Sequence, residues 1–238
     1  MANLQPVTVN RHGKQRWRRF SSFAFAAQST IAPLMLTEVR SAASALPIAF
    51  INIQNQLVPV ALLGLDQGRN ACIGAQGEWL PGYTPASLRV WPFSIGAGSK
   101  GERLLCVDED SGLLTNTEDG EPFFGDDGKP APALETVLSF LSRLTQEREP
   151  SIAAATALLA ADVLEPWDVV VRADEREWSL ENFMRVKEDA LAALPDQSIL
   201  ALHRAGALAL AYTQLHSMAQ LPALGRRAAQ LQPQAAEQ

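Results

Sequence analysis

Residues 47–65, PIAFINIQNQLVPVALLGL, contain two apolar, β-branched runs separated by a short polar break. The runs are PIAFINIQ at 47–54 and LVPVALLGL at 57–65, with Asn55 and Gln56 at the break. Short apolar runs bounded by polar turn residues are typical of paired strands. The stretch therefore predicts a β-hairpin in the first half of the chain.

Further short runs on the C-terminal side of this hairpin carry the same signature. LRVWPFSI at 88–95 and RLLCVDED at 103–110 predict strands, and Pro92 marks an edge or a bulge. Gly, Pro and Asn residues separate these runs. The first half therefore predicts an antiparallel sheet or a partly open barrel.

The apolar spacing becomes helical in the second half. One predicted helix face has the spacing i, i+3, i+4, i+7 and i+10: Leu134, Val137, Leu138, Leu141 and Leu144. SIAAATALLAAD after Pro150 predicts a second, buried helix, and a third begins near Gln197 and is stopped by Pro222. One hairpin is predicted here, with strands at 169–171 and 178–180 and a turn at 173–175. The fold class predicted is α+β, with an N-terminal antiparallel β-rich lobe packed on a C-terminal helical lobe.

The predicted domain organisation has three parts. Residues 1–20 form a basic N-terminal arm, residues 21–224 a single domain, and residues 225–238 a frayed tail. Within the domain, the β-rich lobe covers about 21–128 and the mainly helical lobe about 129–224. A chain of 238 residues can bury a core of ordinary size in one domain, or in two small ones that share an interface.

Residues 15–30, QRWRRFSSFAFAAQST, allow two interpretations. A basic cluster before an apolar run, with Arg18-Arg19-Phe20, indicates an export signal. The uninterrupted apolar run covers only 23–27, however, and an export segment needs about 7–15 apolar residues. The pattern over 31–39 then predicts a short amphipathic helix with Pro33 in its first turn. We predict that the segment belongs to the folded domain and that the protein is cytoplasmic, with the cell surface as the alternative.

Charge is distributed unevenly along the chain, whose net charge is -6. Residues 11–19 contain five basic side chains and no acidic one, whereas residues 108–127 contain eight acidic side chains and no basic one. An overall acidic chain argues against a nucleic-acid partner, which requires a basic face. No apolar run approaches the ~20 residues that span a bilayer, so no membrane span is predicted.

Catalytic and metal-binding patterns are not found. DEDSG at 108–112 begins like a calcium-binding loop, but its sixth and twelfth positions are Leu113 and Asp119 where the template has Gly and Glu. Cys72 and Cys106 match no zinc pattern and are predicted to be free thiols, with a disulfide as the open alternative. The three histidines have no metal-ligand spacing, and no nucleophile elbow or phosphate-binding loop occurs. We predict no catalytic residue, no metal and no cofactor.

The segment EWLPGYTPASLRVWPF at 78–93 has the most distinctive chemistry in the chain. Two Trp, one Tyr, one Phe and three Pro surround Arg89. Rigid aromatic surface of this kind suits recognition of a peptide or protein partner, and a small aromatic ligand is also possible; the alternative is that these rings cover the end of a small barrel. The predicted contact residues are Trp79, Tyr83, Arg89, Trp91, Phe93 and Asp108.

Several blocks along the chain resemble the SapC family of bacterial proteins. They include FAFAAQSTIAPLMLTEV at 23–39, GEWLPGYTPASLRVWPF at 77–93, LLCVDEDSGLL at 104–114 and GALALAYTQLHSMAQL at 206–221. The resemblance extends from about Pro6 to about Leu224, in the order of the family. It also supports the interpretation of 23–28, FAFAAQ, as part of the domain.

The resemblance implies a role but no catalytic residues. The family is named after a component associated with the paracrystalline surface layer of a Gram-negative bacterium. Its members are often encoded near TonB-dependent receptors and proteins similar to flavin-dependent tryptophan halogenases. The first hypothesis is a non-enzymatic binding or accessory protein of a surface-layer or outer-membrane uptake system. The alternatives are an enzyme or enzyme partner that modifies an aromatic or peptide substrate beside a halogenase-like protein, and a structural surface-layer subunit.

Overall fold

The computed structural model describes residues 3–98, 101–173 and 175–231, and the fold is α+β, as the sequence predicts. Strands are numbered in chain order as follows: β1 Leu4–Pro6, β2 Arg16–Trp17, β3 Ile31–Pro33, β4 Ile48–Ile53, β5 Gln56–Leu62, β6 Phe93–Ala97, β7 Arg103–Asp108, β8 Leu114–Thr115, β9 Glu121–Pro122, β10 Leu164–Ala173 and β11 Arg176–Val186. The α-helices are α1 Val9–His12, α2 Val39–Ala43, α3 Ala86–Arg89, α4 Pro132–Ala160, α5 Glu188–Ala192, α6 Asp196–Arg204, α7 Ala207–Ser217 and α8 Leu221–Gln230.

The predicted hairpin at 47–65 is confirmed as β4 and β5. Its two-residue loop is Gln54 and Asn55, one residue earlier than the predicted break, because Ile53 pairs with Gln56. Both loop residues have positive φ, 52° and 64°, which is the loop conformation that matches the twist of antiparallel strands. β5 is almost completely buried because β3 and β4 flank it and α4 covers it.

The largest sheet combines strands from both halves of the chain. Its order is β10-β11-β4-β5-β3, and every neighbouring pair is antiparallel. The strands predicted at 169–171 and 178–180 are confirmed within β10 and β11, which are longer than predicted. The predicted turn at 173–175 includes Asp174, which lies outside the described residues.

Residues 31–39 do not form the predicted amphipathic helix. Ile31–Pro33 is the edge strand β3, which pairs with β5, and helix α2 begins only at Val39. The edge position tolerates Pro33 because an edge residue can do without a backbone donor. The sheet, a long-range interaction, therefore overrides the local helical spacing.

The strand predicted at 88–95 is also wrong in its first half. Ala86–Arg89 forms helix α3, the Trp91–Pro92 peptide bond is cis, and the strand β6 begins at Phe93. β6 pairs with β7 and β7 pairs with β1 in a separate three-stranded sheet. The predicted strand at 103–110 is confirmed as β7.

The helices predicted before and after Pro150 are one continuous helix, α4, of 29 residues. Its first half buries Leu134 and Leu141 in a small core, and its second half buries Leu158 in the main core. Directly after Pro150, the buried Ser151 hydroxyl donates to the Glu147 carbonyl at 2.7 Å and accepts the Leu36 N–H at 2.9 Å. α4 therefore connects the two hydrophobic cores.

Residues of the predicted N-terminal arm pack into the small core. β1 pairs with β7, and β2 lies between β8 and β9 in a second three-stranded sheet. Trp17 is buried there beside Phe93 and Phe123. This placement brings the basic residues 11–19 against the acidic residues 108–127, and three exposed or partly exposed ion pairs join them: Arg11–Glu109, Arg18–Asp119 and Arg19–Glu121.

The helix predicted from Gln197 to Leu221 is divided. α6 ends at Arg204, Gly206 takes a φ of 70°, and α7 follows, so Pro222 lies in the first turn of α8 instead of ending a helix. α8 packs on β10 and buries Leu224, Gly225 and Ala228. Residues 225–230 are therefore helical, and the prediction that they belong to a frayed tail is wrong. Residues 232–238 of the predicted tail lie outside the described residues.

Candidate functional site

The segment 78–93 folds around one buried carboxylate, that of Glu38. The Glu38 side chain is 6% exposed. Its Oε2 accepts from the Tyr83 hydroxyl and from the Ala86 N–H, both at 2.8 Å, and its Oε1 accepts from the Met35 N–H at 3.1 Å. A buried carboxylate is tolerated only with such partners, so the three donors fix the loop before α3 against the start of α2.

Tyr83 links this buried acid to the surface. Burial, followed by the hydrogen bond to Glu38, raises the pKa of Tyr83 to about 12. Its carbonyl accepts the Trp79 indole N–H at 2.8 Å, and its hydroxyl accepts from Arg89 Nη2 at 3.3 Å. The Tyr83 ring is therefore held from both ends, and it orients Arg89.

Two exposed guanidinium groups flank the ring of Phe140 on α4. The Arg89 guanidinium carbon lies 5.5 Å from the Phe140 centroid and 5.7 Å from that of Tyr83. The Arg143 guanidinium carbon lies 5.7 Å from the same Phe140 centroid. Within the described part of the chain, neither guanidinium pairs with a carboxylate. Cations over an aromatic face are weakly stabilised and keep their donors free.

The FAFAA segment supplies an aromatic cluster beside α3. Phe25 stacks on Trp91 with a centroid separation of 4.3 Å and an interplanar angle of 5°. Phe20 meets Phe23, Phe25 and Trp91 edge-on at 5.1, 5.2 and 5.9 Å. Ala26, next to these rings, is buried. The segment at 23–27 therefore packs into the described fold, as the sequence predicts.

Three adjoining grooves surround these side chains. The aromatic groove has a volume of about 380 Å³, and its principal lining residues are Phe20, Arg89, Trp91, Phe93, Val137 and Phe140. The polar groove has a volume of about 370 Å³ and is lined mainly by Glu38, Tyr83, Arg89, Phe140, Arg143 and Glu147. The acidic groove has a volume of about 650 Å³, and its lining includes Phe20, Phe25, Trp91, Asp108, Asp110 and Leu113.

The grooves form a series because neighbours share residues. Arg89 and Phe140 line both the polar and the aromatic groove, and Phe20 and Trp91 line both the aromatic and the acidic groove. A molecule that follows the series meets guanidinium groups first, then aromatic rings, then carboxylates. The arrangement is an extended surface, and none of the three grooves is lined by Tyr83, Arg89 and Asp108 together.

The six residues predicted from sequence are distributed along this series. Arg89 lines the polar and aromatic grooves, Tyr83 the polar groove, and Trp91 the aromatic and acidic grooves. Phe93 is 4% exposed and contacts Trp17 edge-on at 4.8 Å, so it forms the floor of the aromatic groove. Trp79 lines none of the three grooves and packs on Phe23 at 5.3 Å.

Asp108 is used mainly to hold the chain in place. Its Oδ1 accepts from the N–H of Asn3 at 2.9 Å and from that of Asp110 at 3.2 Å. Asp108 caps a 3₁₀ turn at Glu109–Ser111, and the following Gly112 has a φ of 71°. The acidic loop is thus built by side-chain capping, and one face of it lines the acidic groove.

Sequence reasoning missed four side chains of this surface: Phe20, Glu38, Phe140 and Arg143. Phe140 carried a usable signal, because it is a large aromatic residue outside the predicted apolar face of its helix. Glu38 carried no such signal, because nothing in the sequence distinguishes it from a glutamate on the protein surface.

The described residues contain no metal-ligand cluster and two buried thiols. No three His, Cys, Asp or Glu side chains come together there as metal ligands. Cys72 and Cys106 are free and buried, as predicted, and burial raises the pKa of the Cys72 thiol to about 11. A thiol with so high a pKa is protonated at neutral pH and is a poor nucleophile.

Comparison with known proteins places the chain in a family. Residues 7–224 match the family model described as SapC, so the chain belongs to the SapC family. No curated protein and no solved structure gives a significant match. None of the helices in the described ranges combines the length and apolarity needed to cross a membrane.

Proposed function

We propose that the protein is a non-enzymatic binding protein, an accessory component of a surface-layer or outer-membrane uptake system. It holds a protein partner along the polar and aromatic grooves, with Trp91 and Arg89 as the main contacts. The observation that carries the proposal is Arg89: its guanidinium lies at the junction of the two grooves, oriented by Tyr83 and Phe140 and without a carboxylate partner in the described part of the chain.

The composition of the surface supports a contact role. Trp, Tyr and Arg side chains are enriched among the few residues that dominate the binding energy of protein interfaces. Here Trp91 and Arg89 are both held in place by their own neighbours, Phe25 and Tyr83. Preorganised side chains lose little conformational entropy when a partner binds.

Membership of the SapC family supports the cellular setting. The family name refers to a surface-layer component, and its members are often encoded near TonB-dependent receptors. A partner in that setting is a protein of the cell envelope or one that delivers material to it.

A second candidate is favoured by the size of the aromatic groove. Its volume of about 380 Å³ is within the range of small-molecule sites, which start near 300 Å³. In this alternative the protein binds an aromatic or peptide substrate that a halogenase-like enzyme modifies, or takes part in that modification. Phe20, Trp91 and Phe140 provide the rings that stack on such a substrate.

The test is affinity capture from the native host with the full-length chain, comparing wild type with Arg89→Ala and Trp91→Ala. Arg148→Ala is the matched control, because Arg148 is exposed on α4 and donates to Gln56, outside both grooves. Circular dichroism and urea midpoints confirm that each variant is folded. We expect one co-purifying protein to be lost from both groove variants and retained by the control. A partner list identical for all four proteins would refute the contact surface.

A further inference from the structure

We propose that the occupant of the groove series is an extended segment of a partner protein that carries an acidic residue, then an aromatic residue, then a basic residue. The inference deepens the proposed function and rests on it. The ligand is a polypeptide whose acidic, aromatic and basic side chains complement the polar, aromatic and acidic grooves in that order.

The polar groove contains two guanidinium groups with free donors, beside two carboxylates that keep their charge. Its two carboxylates are already engaged: both oxygens of Glu38 accept hydrogen bonds from Tyr83, Ala86 and Met35, and Glu147 accepts from the Thr37 hydroxyl. Its two guanidinium groups, in contrast, have no carboxylate partner in the described residues. Arg143 contacts the Phe140 ring, and Arg89 makes one hydrogen bond, to a neutral hydroxyl.

The free donors of Arg89 and Arg143 determine which group of a ligand the polar groove accepts. Guanidinium groups with free donors bind carboxylates by charge-assisted hydrogen bonds, often two at once. Both guanidinium groups line the polar groove and lie against one ring, with their carbons 5.5 and 5.7 Å from its centre, so the groove presents two cations with free donors to an incoming ligand. An acidic side chain of the partner is therefore the complement of the polar groove.

The next position along the surface is apolar. Beyond Arg89 and Phe140 the aromatic groove presents Val137, Phe20 and Trp91, with the buried Phe93 below. Aromatic rings bind there by offset or edge-on contacts with the exposed rings. In an extended chain, side chains at i and i+2 point to the same side and are about 6.6 Å apart, so alternate side chains of one ligand segment can enter neighbouring grooves, which here share Arg89 and Phe140.

The third position is acidic. Past Phe20 and Trp91, the acidic groove presents Asp108 and Asp110. The Oδ1 atoms of both accept hydrogen bonds, from the Asn3 and Asp110 N–H groups and from Asn3 Nδ2, but in the described residues neither aspartate pairs with a basic side chain. A basic side chain of the ligand complements them. A small aromatic acid has no basic group for the third subsite, and this favours a polypeptide over such a metabolite.

The experiment measures binding of four fluorescein-labelled pentapeptides to the full chain by fluorescence anisotropy. The probe is Glu-Gly-Phe-Gly-Lys. The comparison peptides are Gln-Gly-Phe-Gly-Gln, Glu-Gly-Ala-Gly-Lys and Lys-Gly-Phe-Gly-Lys, and unlabelled phenylacetate is the competitor that represents a free aromatic acid.

We expect the probe to bind about tenfold more tightly than the neutral and the alanine peptides. Arg89→Ala/Arg143→Ala reduces its affinity about tenfold, whereas Arg148→Ala leaves it within about twofold. The charge-reversed variant Arg89→Glu/Arg143→Glu prefers the all-basic peptide. All three arginine positions are exposed, and urea midpoints check that the variants fold.

Several results overturn the inference. One is no binding of the probe by wild type at about millimolar concentration, the limit of weak specific recognition. A second is equal affinity of the wild type for the charged probe and the neutral peptide. A third is that the charge-reversed variant keeps the preference of the wild type. A fourth is that phenylacetate competes with the labelled probe as strongly as the unlabelled probe does. If Arg89→Ala still abolishes capture of the host partner while the charge pattern has no effect, the proposed function stands and this ligand class is wrong.

Discussion

The carboxylate of Glu38 and the hydroxyl of Tyr83 form a 2.8 Å hydrogen bond between residues 45 positions apart, beneath the segment 78–93. The bond joins the start of α2 to the loop that precedes α3. Through Tyr83 it reaches Arg89, so a buried acid holds a surface cation in position. The contact surface proposed here depends on this link.

Replacing Glu38 should destabilise the protein strongly. Glu38→Ala removes the acceptor of three donors, and each buried donor left without a partner costs about 1–3 kcal/mol. We expect the free energy of unfolding, measured by urea denaturation, to fall by about 3–5 kcal/mol. Glu149→Ala, at an exposed site on α4, should change it by less than about 0.5 kcal/mol. A loss below about 1 kcal/mol for Glu38→Ala would contradict the assigned network.

The ionisation of Tyr83 should be delayed. The chain has two tyrosines, so Tyr212→Phe leaves the absorbance change at 295 nm to Tyr83 alone. Stopped-flow pH jumps, read before unfolding, should give a midpoint near pH 12, compared with about 10 for a free tyrosine. A midpoint near 10 would show that the hydroxyl is neither buried nor bonded to Glu38.

The same pKa shift has a consequence for stability. Because the pKa of Tyr83 is raised in the folded state, the unfolded chain loses this proton first as the pH rises, and stability falls between about pH 10 and pH 12. Tyr83→Phe should remove that part of the alkaline decline. If urea midpoints of wild type and variant decline in parallel between pH 9.5 and 11, the shift has another origin.

The buried His12 should make the protein sensitive to mild acid. Burial lowers the pKa of His12, outweighing the nearby carboxylate of Glu109, whose Oε1 lies 3.3 Å from Nε2. The unfolded chain therefore binds this proton first as the pH falls below about 6.5, and stability is lost from there downward. We expect urea midpoints to decrease from pH 7.5 to 5.5 in wild type.

A variant series assigns that acid slope. His12→Phe keeps a ring against Phe123 and should flatten the slope, whatever its effect at pH 7.5. His203→Gln/His216→Gln, at two exposed sites, should preserve it. The assignment fails if the double variant, and not His12→Phe, loses the slope.

Gln214 should be essential for joining α7 to the main sheet. Its fully buried amide accepts the Val186 N–H at 3.0 Å and donates to the Ile48 carbonyl at 3.1 Å. Gln214→Leu leaves both backbone groups without a partner, and we expect a loss of about 2–4 kcal/mol in the free energy of unfolding. Tyr212→Phe, exposed on the same helix, is the control. Equal urea midpoints for the two variants would contradict the bridge.

Much of the secondary structure was readable from local patterns. The hairpin at 48–62 follows from two apolar runs around polar turn residues, and the β10–β11 hairpin from a similar pattern. The pattern failed at 31–39, where pairing with β5 turned a helix-like spacing into an edge strand. It failed again at Pro150, because burial of both halves of α4 outweighs the missing backbone donor.

The candidate site was predicted less completely. The 78–93 segment was identified because aromatic residues, prolines and an arginine are concentrated within it. Its partners on α4, Phe140 and Arg143, lie about 50 residues away in sequence, and no local pattern links them to Arg89.

The sequence by itself determined the α+β class, the central hairpin and the family, because these depend on neighbouring residues or on blocks of residues in a fixed order. It favoured free cysteines but left a disulfide open, which only the structure decided. Only the tertiary structure decided that the basic residues 11–19 face the acidic residues 108–127 and that the Glu38 carboxylate is buried beneath Tyr83. Only the tertiary structure places the guanidinium groups of Arg89 and Arg143 against the same ring, that of Phe140. The physical reason is that burial, charge pairing and cation–π contact depend on distances in space between residues far apart in the chain, and folding sets those distances.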